Sequence, residues 1–314
     1  MSEAPALNLL FFGTPEFAVP SLRALVESRH HVVGVISQPD RPQGRGRKSR
    51  PTPVRAESER HGLELFQPEK VGDPSTLEWM REREPELGIV VAFGQFIPKT
   101  VRELPSLRLI NAHASLLPKH RGAAPIQYAI LSGDQRTGIS VMQVEREMDA
   151  GDVCLVRELR IGSDETAGEL SDRLAQLAGE ALLEAVDQIS SGRAVFRAQD
   201  RAAASLAPKL DKEFGRISWQ QPVAEILNRI RAVTPWPGAE LMLRQTGRLK
   251  ILSARAGEGP RGRVGQVRAG HDVLSVHGLD GWVDVLKLQV PGKRPLDAAE
   301  YLRGARVPVD EEAA

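Results

Sequence analysis

Short apolar runs alternate with helical segments along the first two-thirds of the chain and then stop, which limits the sequence to a few architectures. Leu7–Phe12 ends at Gly13-Thr14-Pro15, and helical periodicity follows over Pro15–Glu27. His31–Ser37, Leu87–Phe93 and Leu107–Asn111 are further β-rich runs bounded by turn residues. Val54–Arg60 and Pro74–Arg83, between them, have helical composition. Thr137–Val144 and Val153–Ile161 read as two more strands, followed by a long helix near Thr166–Ile189 with Leu, Ala and Val at three- and four-residue spacing. Strands that are nearly continuous in apolar residues need cover on both faces. The pattern therefore predicts an α/β fold, a doubly wound and mostly parallel sheet under helices.

After Gly192 the texture changes. Arg201–Pro208 is rich in small residues and reads as a linker. Beyond it come one helical stretch, Val223–Val233, and short glycine-punctuated strands at Arg248–Ala254, Gly262–Arg268, Val273–Val276 and Val283–Val290. That composition predicts a smaller, β-barrel-like (OB-like) C-terminal domain. The expected division is a first domain over 1–192, a linker over 193–208 and a second domain over 209–314.

No run of about 18 apolar residues occurs, so no membrane span is expected. The N-terminus lacks the basic region and small-residue cleavage site of a signal peptide. A single cysteine, Cys154, excludes an intramolecular disulfide, and no Cys/His cluster has zinc-ligand spacing. The expectation is a cytoplasmic, metal-free protein, monomeric by default. A net charge of +1 conceals an asymmetry: residues from 209 onward hold 17 Lys/Arg against 13 Asp/Glu. A mildly basic C-terminal part can lean on a polyanion, although a surplus this small is weak evidence.

Gly13-Thr14-Pro15 matches neither G-x-G-x-x-G nor G-x-x-x-x-G-K-[ST] and reads as a strand-to-helix turn. The informative segment is LINAHASLLPKHRGAAPIQ, Leu109–Gln127. An apolar strand delivers Asn111 and His113, two residues apart and so on one face of an extended chain, before Pro118. Ligands of α/β sheets bind beyond the carboxyl ends of strands. MDAGD, Met148–Asp152, offers carboxylates at a second strand-to-loop junction. An amide, an imidazole and a carboxylate, with no plausible Ser or Cys nucleophile, suit direct attack by an amine on a carbonyl carbon. Donors aimed at the resulting oxyanion each contribute about 2.7–4 kcal/mol. On the residues alone, a His and an Asn at a strand end are as often structural as functional, and aspartates in a glycine turn are commonly just turn residues.

INAHASLLPKHRGAAPIQ closely resembles the N-H-SLLP signature of folate-dependent formyltransferases, and MDAGD resembles that family's aspartate-bearing segment. FGTPEFAVPSL, QPDRPQGRGRK, PTPV, VVAFG and FQP resemble blocks of the methionyl-tRNA branch, in the same order. APKLDKEFGRISW, TPWPGAE and PGKRPLDAAEYLRG resemble its C-terminal domain. The likeness covers essentially the whole chain. It implies that Asn111, His113 and Asp149 are catalytic, that Ser115, Leu116, Leu117 and Pro118 contact tetrahydrofolate, and that Phe93, Gly94 and Gln95 line the pterin pocket. It also implies 10-formyltetrahydrofolate as the formyl donor and initiator Met-tRNA as the acceptor, with a barrel-like tRNA-binding domain following the catalytic one. No acyl-enzyme is implied, so Cys154 is expected to be dispensable. Ala112 and Ala114 stand where the family usually has Val and Gly, and Phe93 and Leu206 replace common tyrosines.

The loop Gln38–Arg55 holds six Lys/Arg against one acid, with glycines and prolines that argue against a regular element. The resemblance implies that such a loop enters the acceptor stem, with Arg45 foremost and Arg47 and Lys48 supporting, and that Lys209 and Lys212 also touch tRNA. Without the family, a solvated basic loop explains the same residues. Two other readings stay open: a formyltransferase acting on a nucleotide-linked amino sugar, and a catalytically silent RNA-binding module. A purine-pathway formyltransferase fits poorly, because those enzymes lack a counterpart of 209–314.

Overall fold

A computed structural model of the chain describes residues 5–43, 48–270, 272–305, 307–308 and 311–313. The chain divides into two compact units. The first comprises 1–125, 137–160 and 171–206; the second comprises 126–136, 161–170 and 207–314.

The first unit is built on strands β1 (Asn8–Gly13), β2 (His31–Ile36), β5 (Leu65–Phe66), β6 (Leu87–Val91), β7 (Leu109–His113), β8 (Arg136–Gln143) and β9 (Val153–Arg160). Their order across the sheet is β5-β2-β1-β6-β7-β8-β9. The first five pair in parallel, and β8 joins β7 antiparallel. Each parallel crossover carries a helix: α1 (Val19–Val26), α2 (Pro53–Arg60), α3 (Pro74–Arg81) and α4 (Lys99–Arg102). The chain winds outward through β1, β2 and β5, then returns to the other side of β1 with β6 and β7. The winding therefore reverses between β1 and β6, where a doubly wound sheet leaves a crevice at its carboxyl edge. β1 and β6 are buried almost throughout, as continuous apolar runs require.

After the short α5 (Pro125–Leu131), the long helix α6 (Ala167–Ser190) starts at a capping box: Thr166 Oγ1 accepts the Glu169 N–H at 3.3 Å, and Glu169 Oε2 accepts the Thr166 N–H at 2.9 Å. Its buried stripe of Leu170, Leu174, Ala178, Ala181, Leu182, Ala185 and Val186 follows the three- and four-residue spacing of the sequence. Gly179 of α6 lies against the Pro20 carbonyl of α1, so a Cβ there would contact the carbonyl oxygen at 3.1 Å.

The second unit has an antiparallel sheet of β10 (Ala239–Leu243), β11 (Gly247–Gly257), β14 (Trp282–Gln289), β13 (Leu274–His277) and β12 (Val267–Ala269), in that order, with β15 (Pro295–Asp297) paired to β14. Backbone bridges Leu243↔Ala313 and Gln266↔Glu312 draw both sheet ends toward the chain's last residues. The result is an antiparallel half-barrel. Helix α7 (Val223–Ala232) contributes Ile226 and Ile230 to its core, with Leu241, Ile251, Val276 and Val285. Glu311 is buried, and its carboxylate accepts from the backbone of Gln245 and Thr246 and the Thr246 hydroxyl; burial opposes its charge, but these bonds hold it below the usual carboxylate range.

Several elements differ from the sequence reading. The expected strand at Gly262–Arg268 shrinks to Val267–Ala269, because Gly265 (φ +79°) turns the backbone first. AELML at Ala239–Leu243 forms a strand after all; its alternating burial is the two-residue period, masked in sequence by the prolines before it. The basic loop is not devoid of regular structure: β3 (Arg41–Gln43) and β4 (Lys48–Arg50) form a two-stranded antiparallel ladder. A two-stranded ribbon has a free edge on each side, so Pro42 can sit in it without breaking a ladder.

His30 is buried at the seam between β1 and α6. Its Nδ1 accepts the Leu7 N–H at 3.1 Å, and its Nε2 lies 3.2 Å from Asp187. An accepting Nδ1 carries no proton. Burial, against the pull of Asp187 and helped by the Arg29 charge, holds the His30 pKa below its ordinary value. The unfolded chain therefore binds the extra proton first, at about pH 6.5, and His30 contributes stability above that pH that is lost as pH falls toward its lower folded value. The expected outcome is a urea midpoint that drops on acidification from about pH 7.5 to 5.5, and drops less in His30→Gln.

Candidate active site

The β6 and β7 ends flank the crevice next to the winding reversal. Asn111 pairs in register with Val90 of β6 and with Met142 of β8, and His113 pairs with Ser140. Both side chains leave β7 on the same side. Among the described residues the Asn111 amide makes no side-chain hydrogen bond, and the residue is only half buried. It is a donor without a protein acceptor.

His113 is 6% exposed. Its Nε2 donates to the His120 carbonyl at 2.9 Å, and its Nδ1 lies 3.5 Å from Asp149 Oδ2. A carbonyl only accepts, so the neutral ring holds its proton on Nε2 and turns a bare Nδ1 to the carboxylate. Two acceptors facing each other at 3.5 Å form no hydrogen bond; the pair has room for one more proton. Asp149 Oδ2 also accepts the Gly122 N–H at 2.8 Å. Asp149 (φ +53°) and His120 (φ +59°) are both in the left-handed region. That conformation costs roughly 1–2 kcal/mol for an L-residue, and surrounding contacts must hold it.

Those contacts come from two places. Ser140, fully buried on β8, donates its hydroxyl to the Ser115 carbonyl (2.8 Å) and accepts the Leu117 N–H (3.0 Å), folding the turn after β7. Ser115 donates its own hydroxyl to the Lys119 carbonyl at 2.6 Å. The Leu117–Pro118 bond is cis. Ser115 has no exposed surface, so Leu116, Leu117 and Pro118 supply what this turn presents. The second source is the stretch read from sequence as a linker. Ser205 Oγ accepts the His120 N–H at 2.9 Å, and its carbonyl accepts the Arg121 N–H at 2.8 Å. Gln199 Nε2 donates to the carbonyls of Asp149 (2.9 Å) and Gly151 (2.7 Å), while its Oε1 accepts from buried Arg121. Sequence reasoning missed Arg121 and Gln199. Arg121 adjoins the signature string, whereas nothing around Gln199 signals its contacts.

On the β6 side, the Phe93 carbonyl accepts from Thr14 Oγ1 (3.0 Å) and Gln38 Nε2 (2.9 Å), which ties the ends of β1, β2 and β6 together. Gly94 is exposed at φ +83°, and a Cβ there would strike Gln38. The Gln95 side chain is spent on the backbone of Val71 (2.9 Å) and Pro68 (3.1 Å). Phe93 itself is core, edge-on to Phe12.

Arg45 and Arg47 lie outside the described residues, as does the side chain of Lys48, whose backbone is in β4. The base of this loop is anchored. Asp40 accepts from Arg55 (2.6 Å), Gln67 (3.0 Å) and the Thr52 N–H (3.2 Å). Burial works against the Asp40 charge, yet these partners keep its carboxyl below the usual range. Arg55 thus belongs to the anchor, paired with Asp40 and Glu59, and is no longer among the loop's free cations. Lys209 and Lys212 are exposed in the second unit. No helix among the described residues is long and apolar enough to cross a membrane.

A formyl transferase domain model matches residues 7–186, and a formyl transferase C-terminal domain model matches 209–306. A methionyl-tRNA formyltransferase from Citrifermentans bemidjiense is 40% identical over 302 residues, covering 96% of this chain and 94% of the relative. One from Moorella thermoacetica is 43% identical over 302 residues, covering 95% and 96%. Among solved structures, WlaRD, a sugar 3N-formyl transferase crystallised with dTDP and 5-N-formyl-THF, matches 92% of this chain and all of its own length, with TM-score 0.68 and 16% identity. HypX from Aquifex aeolicus in complex with tetrahydrofolic acid matches 95% of this chain and 47% of its own, with TM-score 0.62 and 20% identity. At such identities the last two share the fold.

Two substitutions probe the site's framework. Ser140→Ala leaves the Leu117 N–H and Ser115 carbonyl without their partner in a buried position, and is expected to destabilise the first unit by about 1–3 kcal/mol, read by urea denaturation. Burial pushes the Cys154 thiol up to about 11, so it stays protonated near neutral pH and is a poor nucleophile. Cys154→Ser is expected to keep turnover within about twofold of the parent, and a loss beyond tenfold would reopen covalent catalysis.

Proposed function

The chain belongs to the formyl transferase family along both of its parts, and from that premise we propose that it transfers the formyl group of 10-formyltetrahydrofolate to the amine of the methionyl moiety on initiator Met-tRNA. The observation that carries the chemistry is the Asn111 amide, free of partners among the described residues, two residues from a buried His113 set against Asp149 at 3.5 Å. The acceptor is carried by relatives of matched length named for it, at 40–43% identity. The enzyme acts in the cytoplasm.

The methionyl amine attacks unprotonated; its pKa is about 7.7–8.0 as an α-amine, or lower as an ester. As the new C–N bond forms, the carbonyl π electrons move to oxygen. Asn111 Nδ2 donates to that oxyanion, a donor that breaks no hydrogen bond to a described residue in order to do so. His113 adds its Nε2–H by sharing it between the His120 carbonyl and the oxyanion; such bonds commonly reach their final geometry only in the complex. The proton lost by the amine passes, through water, to the gap between His113 Nδ1 and Asp149 Oδ2, which has space for one. Collapse reforms the carbonyl and breaks the bond to the folate nitrogen, which takes a proton in turn. Leu116, Leu117 and Pro118 pack on the folate while Ser115 shapes their turn, and the main chain of Phe93, Gly94 and Gln95 borders the pterin. Arg45, aided by Arg47 and Lys48, grips acceptor-stem phosphates, and Lys209 and Lys212 add contacts to the tRNA.

Purified protein with 10-formyltetrahydrofolate, offered Met-tRNA and a nucleotide-linked amino sugar in parallel, tests the acceptor. Formylation of the tRNA is expected, and transfer to the sugar alone would overturn the proposal in favour of the sugar enzymes that share the fold. Asn111→Ala, His113→Ala and Asp149→Asn are each expected to lower kcat by about 10²–10³ with folate KM within a few-fold. Equal loss of folate binding and turnover would count against these roles. Arg45→Ala is expected to raise KM for tRNA and leave that for folate alone.

A further inference from the structure

We propose that Gln199, held by Arg121, is a positioning residue that sets the Asp149 carboxylate against His113. The proposal rests on the reading of Asp149 as part of the formyl-transfer site.

Residues 195–198 and Asp200 are exposed, and Gln199 alone in this run turns inward. The register is fixed upstream: Arg197 and Val153 exchange both backbone hydrogen bonds, at 2.9 and 3.0 Å, which docks the segment on the start of β9. Two residues later the Gln199 side chain reaches the turn between β8 and β9. One NH2 group there bonds two carbonyls, of Asp149 at 2.9 Å and of Gly151 at 2.7 Å. These flank Ala150 and define the curvature of the turn.

Gln199 is itself fixed. Arg121, 6% exposed, donates Nε (3.2 Å) and Nη2 (2.8 Å) to Gln199 Oε1 and reaches Glu147 with Nη1 at 3.4 Å. A guanidinium gives no choice about which end of the amide faces it: the oxygen must meet Arg121, so the NH2 must meet the turn. Arg121 follows His120, whose carbonyl holds His113, and precedes Gly122, whose N–H holds the Asp149 carboxylate. Both partners of the His113–Asp149 pair are thus referred to one rigid segment.

Without Gln199 the Asp149 and Gly151 carbonyls lose their side-chain donor, and the aspartate at φ +53° keeps only the Gly122 N–H on its carboxylate and the long Ala150-to-Glu147 backbone bond (3.4 Å) beside it. Relaxation toward ordinary backbone angles would swing the carboxylate off His113 and off Gly122. Gln199→Leu removes the donors and keeps the bulk. Gln199→Glu keeps the Arg121 pairing but sets a carboxylate oxygen against the carbonyls.

The test measures kcat, folate KM and the pH profile of kcat in Gln199→Leu and Gln199→Glu, alone and combined with Asp149→Asn. The expected result is a 10–100-fold loss of kcat in either single variant, folate KM within twofold, a displaced pH profile, and no further loss when combined with Asp149→Asn. Should one variant not fold, the other is read in the same way. Turnover and pH profile equal to the parent, while Asp149→Asn is impaired, would overturn the positioning role alone. So would a Gln199 effect that persists in full in the Asp149→Asn background. Parent-level turnover in Asp149→Asn itself would overturn the catalytic reading beneath it.

Discussion

The antiparallel pairing of β8 with β7 organises the candidate site around Asn111, His113 and Asp149. Five parallel strands precede it, separated by helices, with β1 and β6 at the centre buried almost throughout. A sixth parallel strand would have carried the chain away from the carboxyl edge through another crossover. Running β8 the other way sets Ser140 opposite His113 and Met142 opposite Asn111. Ser140 then folds the turn that follows β7, and the end of β8 at Gln143 leads straight into the segment bearing Asp149. Two stretches about 35 residues apart in sequence meet because a strand reverses beside them.

The pair at the centre is held by main-chain groups more than by side chains. The His120 carbonyl takes one edge of His113, and the Gly122 N–H takes the carboxylate that faces the other. Backbone partners cannot rotate away, so the geometry is as rigid as the loops that supply it. Three of the five non-glycine residues with positive φ among those described, Ala92, His120 and Asp149, border this region. Unfavourable backbone persists where the surroundings over-determine it, and the Ser205 and Gln199 contacts do that here. Asn111 stands apart: among the described residues its amide has no partner, which a half-buried position permits at small cost because water can serve it.

Much of the fold is legible in local chemistry. β1, β2, β6, β8 and β9 lie within one or two residues of their apolar runs, and α6 begins beside a Thr-x-x-Glu signal. Period-two and period-3.6 patterns are local, and burial on one or two faces enforces them. Asn111, His113 and Asp149 stand out as candidates because they lie in strings with specific spacing. The ladder of β3 and β4 was not, since glycine and proline content argues against regularity while two three-residue strands need only each other. Nor was the fate of Arg55, which counts as loop cation in sequence but is neutralised by Asp40 across the loop's base.

By itself the sequence determined the strand-and-helix alternation, the change of texture near residue 200, the family and the identities of the candidate reacting groups, because each is written in neighbouring residues. Only the tertiary structure decided which partners those groups have. That His113 gives its proton to a carbonyl seven residues on, that Ser115 is buried, and that Gln199 reaches back some 50 residues to the Asp149 turn all follow from long-range packing. An amide in a stretch rich in small and polar residues carries no local mark of its partner. Its bonds exist only once strand register has brought two distant backbones within 3 Å.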